Sequence, residues 1–166
     1  MSLIERIGTE PIQKPGKSKQ DYGTPWAFVR ACGNRFGIPT WDLAASAENR
    51  KAAAHYDEAA DSLKQDWTRL DGTLWLNPPF GDIGSWAEKC AMTSTRRRGF
   101  ILLLTPASVG CVWFAQHVLG KAVVLGLSPR LTFEGTTAPY PKDLMLSVYG
   151  FGLHGFDQWR WDGTNG

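Results

Sequence analysis

The sequence lacks most of the features that would assign it quickly to a class. Its three cysteines are odd in number and form no Cys-x-x-Cys pair, which excludes a disulfide framework and a zinc knuckle. No apolar run approaches the ~18 residues that a membrane span needs. The three histidines are scattered, and no cluster of His, Asp and Glu has metal-ligand spacing. We therefore expect no metal, no membrane span, and reduced thiols in a cytoplasmic protein.

The sequence also has no large excess of positive or negative charge. The 18 Lys and Arg residues and 16 Asp and Glu residues leave a net charge of +2, which neither requires nor opposes a polyanionic partner. A length of 166 residues with 43% hydrophobic residues fits one globular unit. Residues 1–20 mix Pro, Gly, Lys, Gln and Ser without periodicity, which predicts a flexible N-terminal arm. Residues 21–166 are predicted to form a single domain.

What the sequence does contain is a distinctive stretch at residues 74–81, Leu-Trp-Leu-Asn-Pro-Pro-Phe-Gly. Its three apolar residues predict a buried strand that stops abruptly, because Pro78 and Pro79 cannot donate to a sheet ladder. The residue before a proline is pushed toward an extended conformation, so Asn77 should be held rigidly. The turn is expected to present the Asn77 amide, the Pro78 carbonyl and the Phe80 ring to one small volume. A plain strand ending in a Pro-Pro turn is the alternative.

The run from Asn77 to Phe80 resembles the Asp/Asn/Ser-Pro-Pro-Tyr/Phe motif of amino-group methyltransferases. An exocyclic amine is a poor nucleophile because its lone pair is conjugated with the ring. In that family the amide oxygen and the carbonyl of the following proline accept both N–H bonds, and the aromatic residue stacks on the base. The resemblance implies catalytic roles for Asn77, Pro78, Pro79 and Phe80.

A second match lies near the start of the predicted domain. Thr24 as N-cap and Pro25 at the first helical position predict a helix that ends at Gly37. The string Tyr22-x-Thr24-Pro25 also resembles the N-terminal cofactor motif of adenine-N6 methyltransferases. That resemblance implies that Tyr22, Thr24 and Pro25 lie at the methionine end of S-adenosylmethionine.

A third match follows a predicted strand at residues 38–43. Asp42 and the small residues after it stand where a doubly wound fold places its cofactor loop, and Ser46 is the expected N-cap of a helix at residues 47–56. The usual Gly-x-Gly is absent, so an ordinary corner between strand and helix is equally open. The resemblance implies cofactor contacts from Asp42, Ala44 and Ser46, with Asn49 as a guess for the ribose ligand.

Residues 62–67 are predicted to form a short strand that ends in Asp66 and Trp67. In the resembled family an acid at this point accepts from the adenine amine of the cofactor, and the next aromatic residue packs on that ring. The alternative is a turn acid followed by a core tryptophan. The second strand, whose terminal acid normally binds the ribose, is expected to be missing or reduced.

The remaining pattern predicts an alternation of helices and strands. A capping box, Ser85 to Glu88, indicates a helix at residues 86–95, and further helix and strand patterns follow. The predicted elements are a strand at 100–104, a helix at 109–119, a strand at 122–127, an antiparallel pair at 130–133 and 144–151, and a tail at 157–161 that covers a sheet edge. The expected fold is an α/β three-layer Rossmann-like methyltransferase sandwich, mainly parallel and closed by an antiparallel strand pair.

Several basic residues are candidates for contacts with DNA, namely Arg96, Arg97, Arg130 and Lys142. Arginines after a helix are also favourable on dipole grounds alone, so a structural role is the alternative for the first two. The long connection at residues 134–143, rich in Gly, Thr and Pro, is the leading candidate for a DNA-contacting loop.

Together with the strings Trp-Asp-Leu-Ala-Ala-Ser and Leu-Asn-Pro-Pro-Phe-Gly, these matches resemble the phage-type DNA N-6-adenine methyltransferases. The resemblance implies methyl transfer from S-adenosylmethionine to the N6 amine of an adenine flipped out of double-stranded DNA, in the cytoplasm of a bacterial host. An RNA adenine or protein glutamine-N5 methyltransferase, or a non-catalytic nucleic-acid-binding domain of the same fold, remains open. The chain has no Pro-Cys pair, which leaves cytosine-C5 methylation unsupported.

Overall fold

The computed structural model describes residues 23–163, and it contains three α-helices, three short 3-10 helices and seven strands within that range. The predicted arm at residues 1–20 and Tyr22 lie outside the described residues. In chain order the elements are α1 (Trp26–Phe36), β1 (Pro39–Asp42), β2 (Ala54–His55), β3 (Thr73–Leu76), α2 (Ile83–Ser94), β4 (Ile101–Pro106), α3 (Val112–His117), β5 (Ala122–Ser128), β6 (Leu144–Tyr149) and β7 (Gly155–Arg160).

All seven strands belong to one sheet in the order β2-β1-β3-β4-β6-β5-β7. Every neighbouring pair is parallel except those made by β6, which runs antiparallel to both β4 and β5. Ser147 on β6 is in register with Leu103 on one side and with Val124 on the other. The predicted α/β fold with a mainly parallel sheet is therefore confirmed.

The core is divided by the sheet into two apolar layers. On β4, Ile101 and Leu103 belong to the layer under α2 and α3, whereas Leu102 and Leu104 belong to the layer under α1. This alternation follows from the two-residue period of a strand, and burial of both faces explains why β3, β4 and β5 are continuous apolar runs. The result is the three-layer arrangement that the sequence predicts.

Most of the regular elements follow their sequence signals closely. The predicted strands at 74–76, 100–104 and 122–127 are confirmed as β3, β4 and β5. The helix predicted to end at Gly37 is confirmed as α1, and Gly37 adopts a φ of 98°, which only glycine reaches without strain.

Three local predictions are wrong. Residues 47–56 form turns and the two-residue strand β2 instead of a helix, because Asp42 draws the backbone of this segment inward. Residues 62–67 form no strand, and two short 3-10 turns, Ser62–Lys64 and Trp67–Arg69, occupy this region. The helix predicted to start at Trp86 begins at Ile83, and Ser85 donates to the Asp82 carboxylate at 2.9 Å instead of capping it.

The end of the described chain differs from its prediction in a similar way. Residues 130–133 form no strand, so β6 pairs with β4 and β5 rather than closing a separate hairpin. The tail that was expected to cover a sheet edge does so as the strand β7, parallel to β5. Its Trp159 and Trp161 rings lie 5.7 and 5.4 Å from the Phe28 ring of α1. Within residues 23–163, no helix has the length and apolar character required to cross a membrane.

Candidate active site

A cavity of about 640 Å³ opens at the carboxyl ends of β1, β2 and β3. In parallel α/β sheets this edge is where strands end and loops diverge, so it is the usual position of a ligand site. The cavity wall includes residues from the predicted methyltransferase matches, namely Thr24, Asp42, Ala44, Ser46, Asn49, Asn77 and Pro79. The fold thus brings together three stretches that lie far apart in the sequence.

Asn77 follows β3 directly and stands at the rim of this cavity. Its Nδ2 donates to Thr24 Oγ1 at 3.0 Å, and Thr24 is 1% exposed. The helix α1 begins at Trp26 with Pro25 as its N-cap, so the predicted capping role of Thr24 is wrong. The Thr24 hydroxyl holds the Asn77 amide instead. This bond sets the amide plane and directs its oxygen away from Thr24.

The two prolines after Asn77 differ in burial. Pro78 is buried and Pro79 is exposed. Phe80 is half-buried, and its ring meets the Tyr140 ring edge to face with centroids 6.1 Å apart. Tyr140 in turn packs on Phe133 at 5.5 Å. The loop at residues 134–143 is therefore in contact with the Pro-Pro turn.

Asp42, at the end of β1, is buried with 3% exposure. Its two carboxylate oxygens accept from the backbone N–H of Lys51 at 2.8 Å and of Ala44 at 3.2 Å. Burial raises the pKa of Asp42 to about 6, and these two hydrogen bonds partly oppose that rise. The carboxylate thus folds the segment after β1 back over the sheet.

The turn after β1 is closed by a reciprocal pair of side-chain bonds. Asn49 Oδ1 accepts from the Ser46 N–H at 2.7 Å, and Ser46 Oγ accepts from the Asn49 N–H at 3.3 Å. Both residues line the cavity, together with Ala44. The polar side-chain atoms of Ser46 and Asn49 stabilise the turn that forms part of the cavity wall. This structural role is compatible with the predicted position of both residues beside a ligand.

Sequence reasoning missed the acidic segment after β2. Asp57 follows this strand by two residues and lines the cavity, and its Oδ1 accepts from the Ala60 N–H at 2.9 Å. The second strand is reduced to two residues, as expected, but an acid still follows it. The signal was present as Tyr-Asp-Glu at residues 56–58, and the predicted helix at 47–56 concealed it.

The ionisable groups of the wall are mostly acidic. Lys51 is the one basic residue that lines the cavity within the described part of the chain. The acids that line it are Asp42, Glu48, Asp57, Glu58 and Asp61. Such a wall favours a ligand with positive charge over a polyphosphate.

A buried hydroxyl and an aromatic ring complete the wall. Ser62 Oγ is buried and has no hydrogen-bond partner within residues 23–163, and Trp86 contributes a ring. Trp86 is backed by Trp67, with nearly parallel rings whose centroids lie 6.1 Å apart. A ligand with both an aromatic ring and hydrogen-bonding groups would suit these side chains.

The structure does not bring Asp66 and Trp67 to this cavity. Asp66 accepts from the N–H and hydroxyl of Thr68 at 3.0 and 2.6 Å, and it lies in a separate depression along the outer side of α2. Trp67 is 1% exposed, and its Nε1 donates to the Ser62 carbonyl at 2.9 Å. The structure therefore places neither residue on the wall of the larger cavity, because a 3-10 turn stands where the strand was expected.

The candidate DNA-binding arginines lie in different places. Arg97 stands at the amino ends of β3 and β4, opposite the cavity, where it donates to four backbone carbonyls, those of Leu70, Gly72, Gly99 and Phe100. Arg96 is exposed beside it, following α2. These two residues are thus not brought to the cavity edge, and Arg97 has a structural role.

The other two candidates lie on or beside the 134–143 loop. Arg130 contacts Asp143 at 2.9 Å and donates to the Pro141 carbonyl at 3.2 Å, so it braces the base of the loop. Lys142 is exposed on the loop itself. Among the described residues, no group of three or more His, Cys, Asp and Glu side chains could hold a metal ion.

Comparison with known proteins gives two matches. The family model described as DNA N-6-adenine-methyltransferase (Dam) matches residues 13–139. The DNA N-6-adenine-methyltransferase of Escherichia phage T1 is 26% identical over 118 residues, which cover 71% of this chain and 49% of the phage protein. The chain thus spans about half the length of that relative, and the family match includes the segments that carry Thr24, Asp42 and Asn77.

Proposed function

Since the chain belongs to the DNA N-6-adenine-methyltransferase family, we propose that it transfers a methyl group from S-adenosylmethionine to the N6 amine of adenine in double-stranded DNA. The observation that carries the proposal is the Asn77 amide at the rim of the cavity, oriented by its 3.0 Å bond to Thr24. The relative from Escherichia phage T1, a DNA N-6-adenine-methyltransferase, supports adenine in DNA as the substrate and a bacterial cytoplasm as the place of action.

The chemistry requires an acceptor arrangement rather than a charged base. The N6 lone pair is conjugated with the purine ring, so the amine attacks well only when its geometry becomes tetrahedral. The Asn77 side-chain oxygen and the Pro78 carbonyl would accept the two N–H bonds and favour that geometry. The bond to Thr24 holds the Asn77 side-chain nitrogen on the Thr24 side. The amide oxygen is then on the opposite side, where it would accept from the amine. After transfer, the nitrogen loses one proton and becomes the neutral methylated amine.

The target adenine has to leave the duplex to reach this site. A base inside a double helix cannot approach the rim, so it is flipped into the pocket and held by stacking. Phe80 follows Asn77 by three residues and is half-buried, and this partial exposure supports its role as the stacking residue. The exposed Lys142 and the 134–143 loop, which touches Phe80 through Tyr140, are the proposed contacts with the surrounding DNA.

The cavity suits the proposed methyl donor. When bound, S-adenosylmethionine supplies a methyl group on a positively charged sulfur, and the acidic wall is compatible with that charge. The Ser62 hydroxyl, which has no partner among the described residues, offers a hydrogen bond, and Trp86 offers a ring face for a purine. Asp57, the acid after β2, is the proposed ribose ligand in place of Asn49. Asp42 would act indirectly, by holding the wall segment that carries Ala44.

The test is methyl transfer with a labelled donor to three acceptors, namely duplex DNA, RNA and a mixture of proteins. We expect label only in DNA, and mass spectrometry of the digested product should give N6-methyladenine. Label in RNA or on glutamine alone would overturn the substrate and leave the Asn77 arrangement standing. Binding of DNA without binding of S-adenosylmethionine would instead identify a non-catalytic member of the fold.

A further inference from the structure

Lys51 is the one basic residue that lines the cavity within residues 23–163, and it is buried. Its side chain is 3% exposed, yet the residue lines the cavity. Its Nζ lies 2.8 Å from Glu134 Oε2 and 4.7 Å from the centroid of the Trp26 ring. A buried ammonium group is costly unless it is paired, so the position of this lysine requires an explanation.

Glu134 accounts for only part of the hydrogen-bonding capacity of Lys51. The ammonium has three N–H donors, and the Glu134 carboxylate accepts from it while its own side chain remains 42% exposed. A stable buried pair would be expected to shield both partners. Here Lys51 is the buried partner of the pair, and it also lines the cavity. Its ammonium can therefore bind an anionic group of a ligand.

The corner around Lys51 is connected to the catalytic amide. The backbone N–H of Glu134 donates to the Gly23 carbonyl at 2.9 Å, and the Glu134 carboxylate lies so close to Gly23 that a Cβ there would overlap it. The next residue, Thr24, holds the Asn77 side chain. A ligand group bound by Lys51 would therefore stand beside the segment that orients Asn77.

Resting on the proposed function, we propose that Lys51 binds the α-carboxylate of the methyl donor. The donor carries one carboxylate, and the other charged side chains of the wall, among the described residues, are acids that would repel it. A lysine ammonium bound to a carboxylate makes a charge-assisted hydrogen bond, which is among the stronger kinds in proteins. Glu134 is a positioning residue, because it holds Nζ and links the donor site to the 134–143 loop.

Calorimetry with the full chain and a matched pair of ligands tests this assignment. Decarboxylated S-adenosylmethionine keeps the adenosine, the sulfonium and the amine, and lacks only the carboxylate. The wild-type protein should bind S-adenosylmethionine about tenfold or more tightly than the decarboxylated form, which is the scale of one such contact. In Lys51→Gln this preference should disappear through weaker binding of S-adenosylmethionine, with binding of the decarboxylated form essentially unchanged.

Lys121→Gln is the matched control, because Lys121 is exposed and its Nζ donates to the Gln116 carbonyl outside the cavity. It should keep the full preference. Equal binding of the two ligands by the wild type would overturn the assignment, even if Lys51→Gln fails to fold. Equal weakening of both ligands in a folded Lys51→Gln protein would also overturn it, since that pattern indicates a purely structural lysine. A wild type that binds neither ligand would refute the proposed function itself.

Discussion

At the carboxyl edge of the sheet, Asn77 and a wall of acidic side chains face a cavity, whereas at the amino edge the Arg97 guanidinium is bonded to four backbone carbonyls. Both edges belong to the same run of parallel strands, and β3 contributes to both. At the amino edge the Arg97 charge is bonded to backbone carbonyls, whereas at the carboxyl edge polar and charged residues line a cavity that a ligand can fill. The two edges therefore predict opposite responses to substitution, with loss of activity at one and loss of stability at the other.

The largest expected effect is at the cavity edge. Asn77→Ala should lower the rate of methyl transfer by at least about 10²-fold, since it removes a group that acts on the transition state. Affinity for S-adenosylmethionine, measured by calorimetry, should be nearly unchanged. Asn34→Ala provides a matched control, because Asn34 is exposed on α1. Retention of normal transfer by Asn77→Ala would remove this residue from the mechanism.

The 134–143 loop extends the same edge toward DNA. Deletion of residues 136–139, which spares Glu134 and Tyr140, should abolish methylation of duplex DNA and leave donor binding intact. The physical reason is that the deletion removes the half-buried Thr136 and three exposed residues, none of which lines the cavity. Methylation assays check the loss of activity on duplex DNA, and calorimetry on the same preparation checks that donor binding is intact. If the shortened protein still methylates duplex DNA normally, recognition of DNA lies on another surface.

Asp42 adds a pH dependence that belongs only to the cavity edge. Burial raises its pKa from 3.8 to about 6, so between about pH 4 and 6 the folded protein holds this proton more tightly than the unfolded chain. The contribution of Asp42 to the free energy of unfolding therefore falls as pH rises through that window, by up to about 3 kcal/mol in total.

Urea unfolding of the wild type and of Asp42→Asn at several pH values isolates this contribution. The free energy of the wild type minus that of the variant should decrease from pH 4 to pH 6 and then level off. A difference that is constant with pH would show that Asp42 titrates near its ordinary value in the folded protein.

At the amino edge the expected loss is one of stability. Arg97→Ala should lower the free energy of unfolding by about 1–3 kcal/mol, because it leaves carbonyls such as those of Leu70 and Gly72 without their donor. The activity of the folded fraction should not change. Arg96→Ala, at an exposed position, should stay within about 0.5 kcal/mol of the wild type. A drop in DNA affinity for Arg97→Ala without destabilisation would reverse the contrast between the edges.

The smallest effects separate two acids that are close in sequence. Asp57→Ala should weaken binding of S-adenosylmethionine by about 1–3 kcal/mol, since Asp57 lines the cavity. Asp66→Ala should leave that affinity unchanged, since its carboxylate is bonded to Thr68 outside the cavity. Calorimetry of the two variants decides between them. The reverse result would restore Asp66 as the donor ligand.

The parts of the fold that were predictable from sequence are those in which local pattern and burial agree. The runs that form β3, β4 and β5 are apolar because both faces of these strands are covered, and each is too short for a buried helix. The Asn77-Pro78-Pro79-Phe80 turn could be placed at a strand end because proline permits little else. Its position at the cavity rim was an expectation from the family resemblance, and the cavity contains Asn77 and Pro79.

The parts that could not be predicted depend on distant partners. Residues 47–56 have helical composition, but a buried carboxylate at Asp42 captures the Lys51 N–H across the turn. Thr24 looks like a helix cap, and its hydroxyl is used by Asn77, 53 positions away. Arg97 resembles a phosphate-binding residue in sequence, and only the fold shows the carbonyls around it. Each error concerns a polar group whose partner lies outside the local pattern.

Because strand β6 is antiparallel to its neighbours, the connection that leads to it can change in length. A parallel strand has to be reached from the opposite edge, so a longer connection to it must still cross a face of the sheet. Because β6 runs antiparallel, β5 ends and β6 begins at the same edge, and the chain between Ser128 and Leu144 never crosses the sheet. Insertions and deletions in this connection leave the order and register of the strands untouched. Evolution can therefore vary the length of the exposed part of this connection after Glu134 without changing the strand that leads into Asn77.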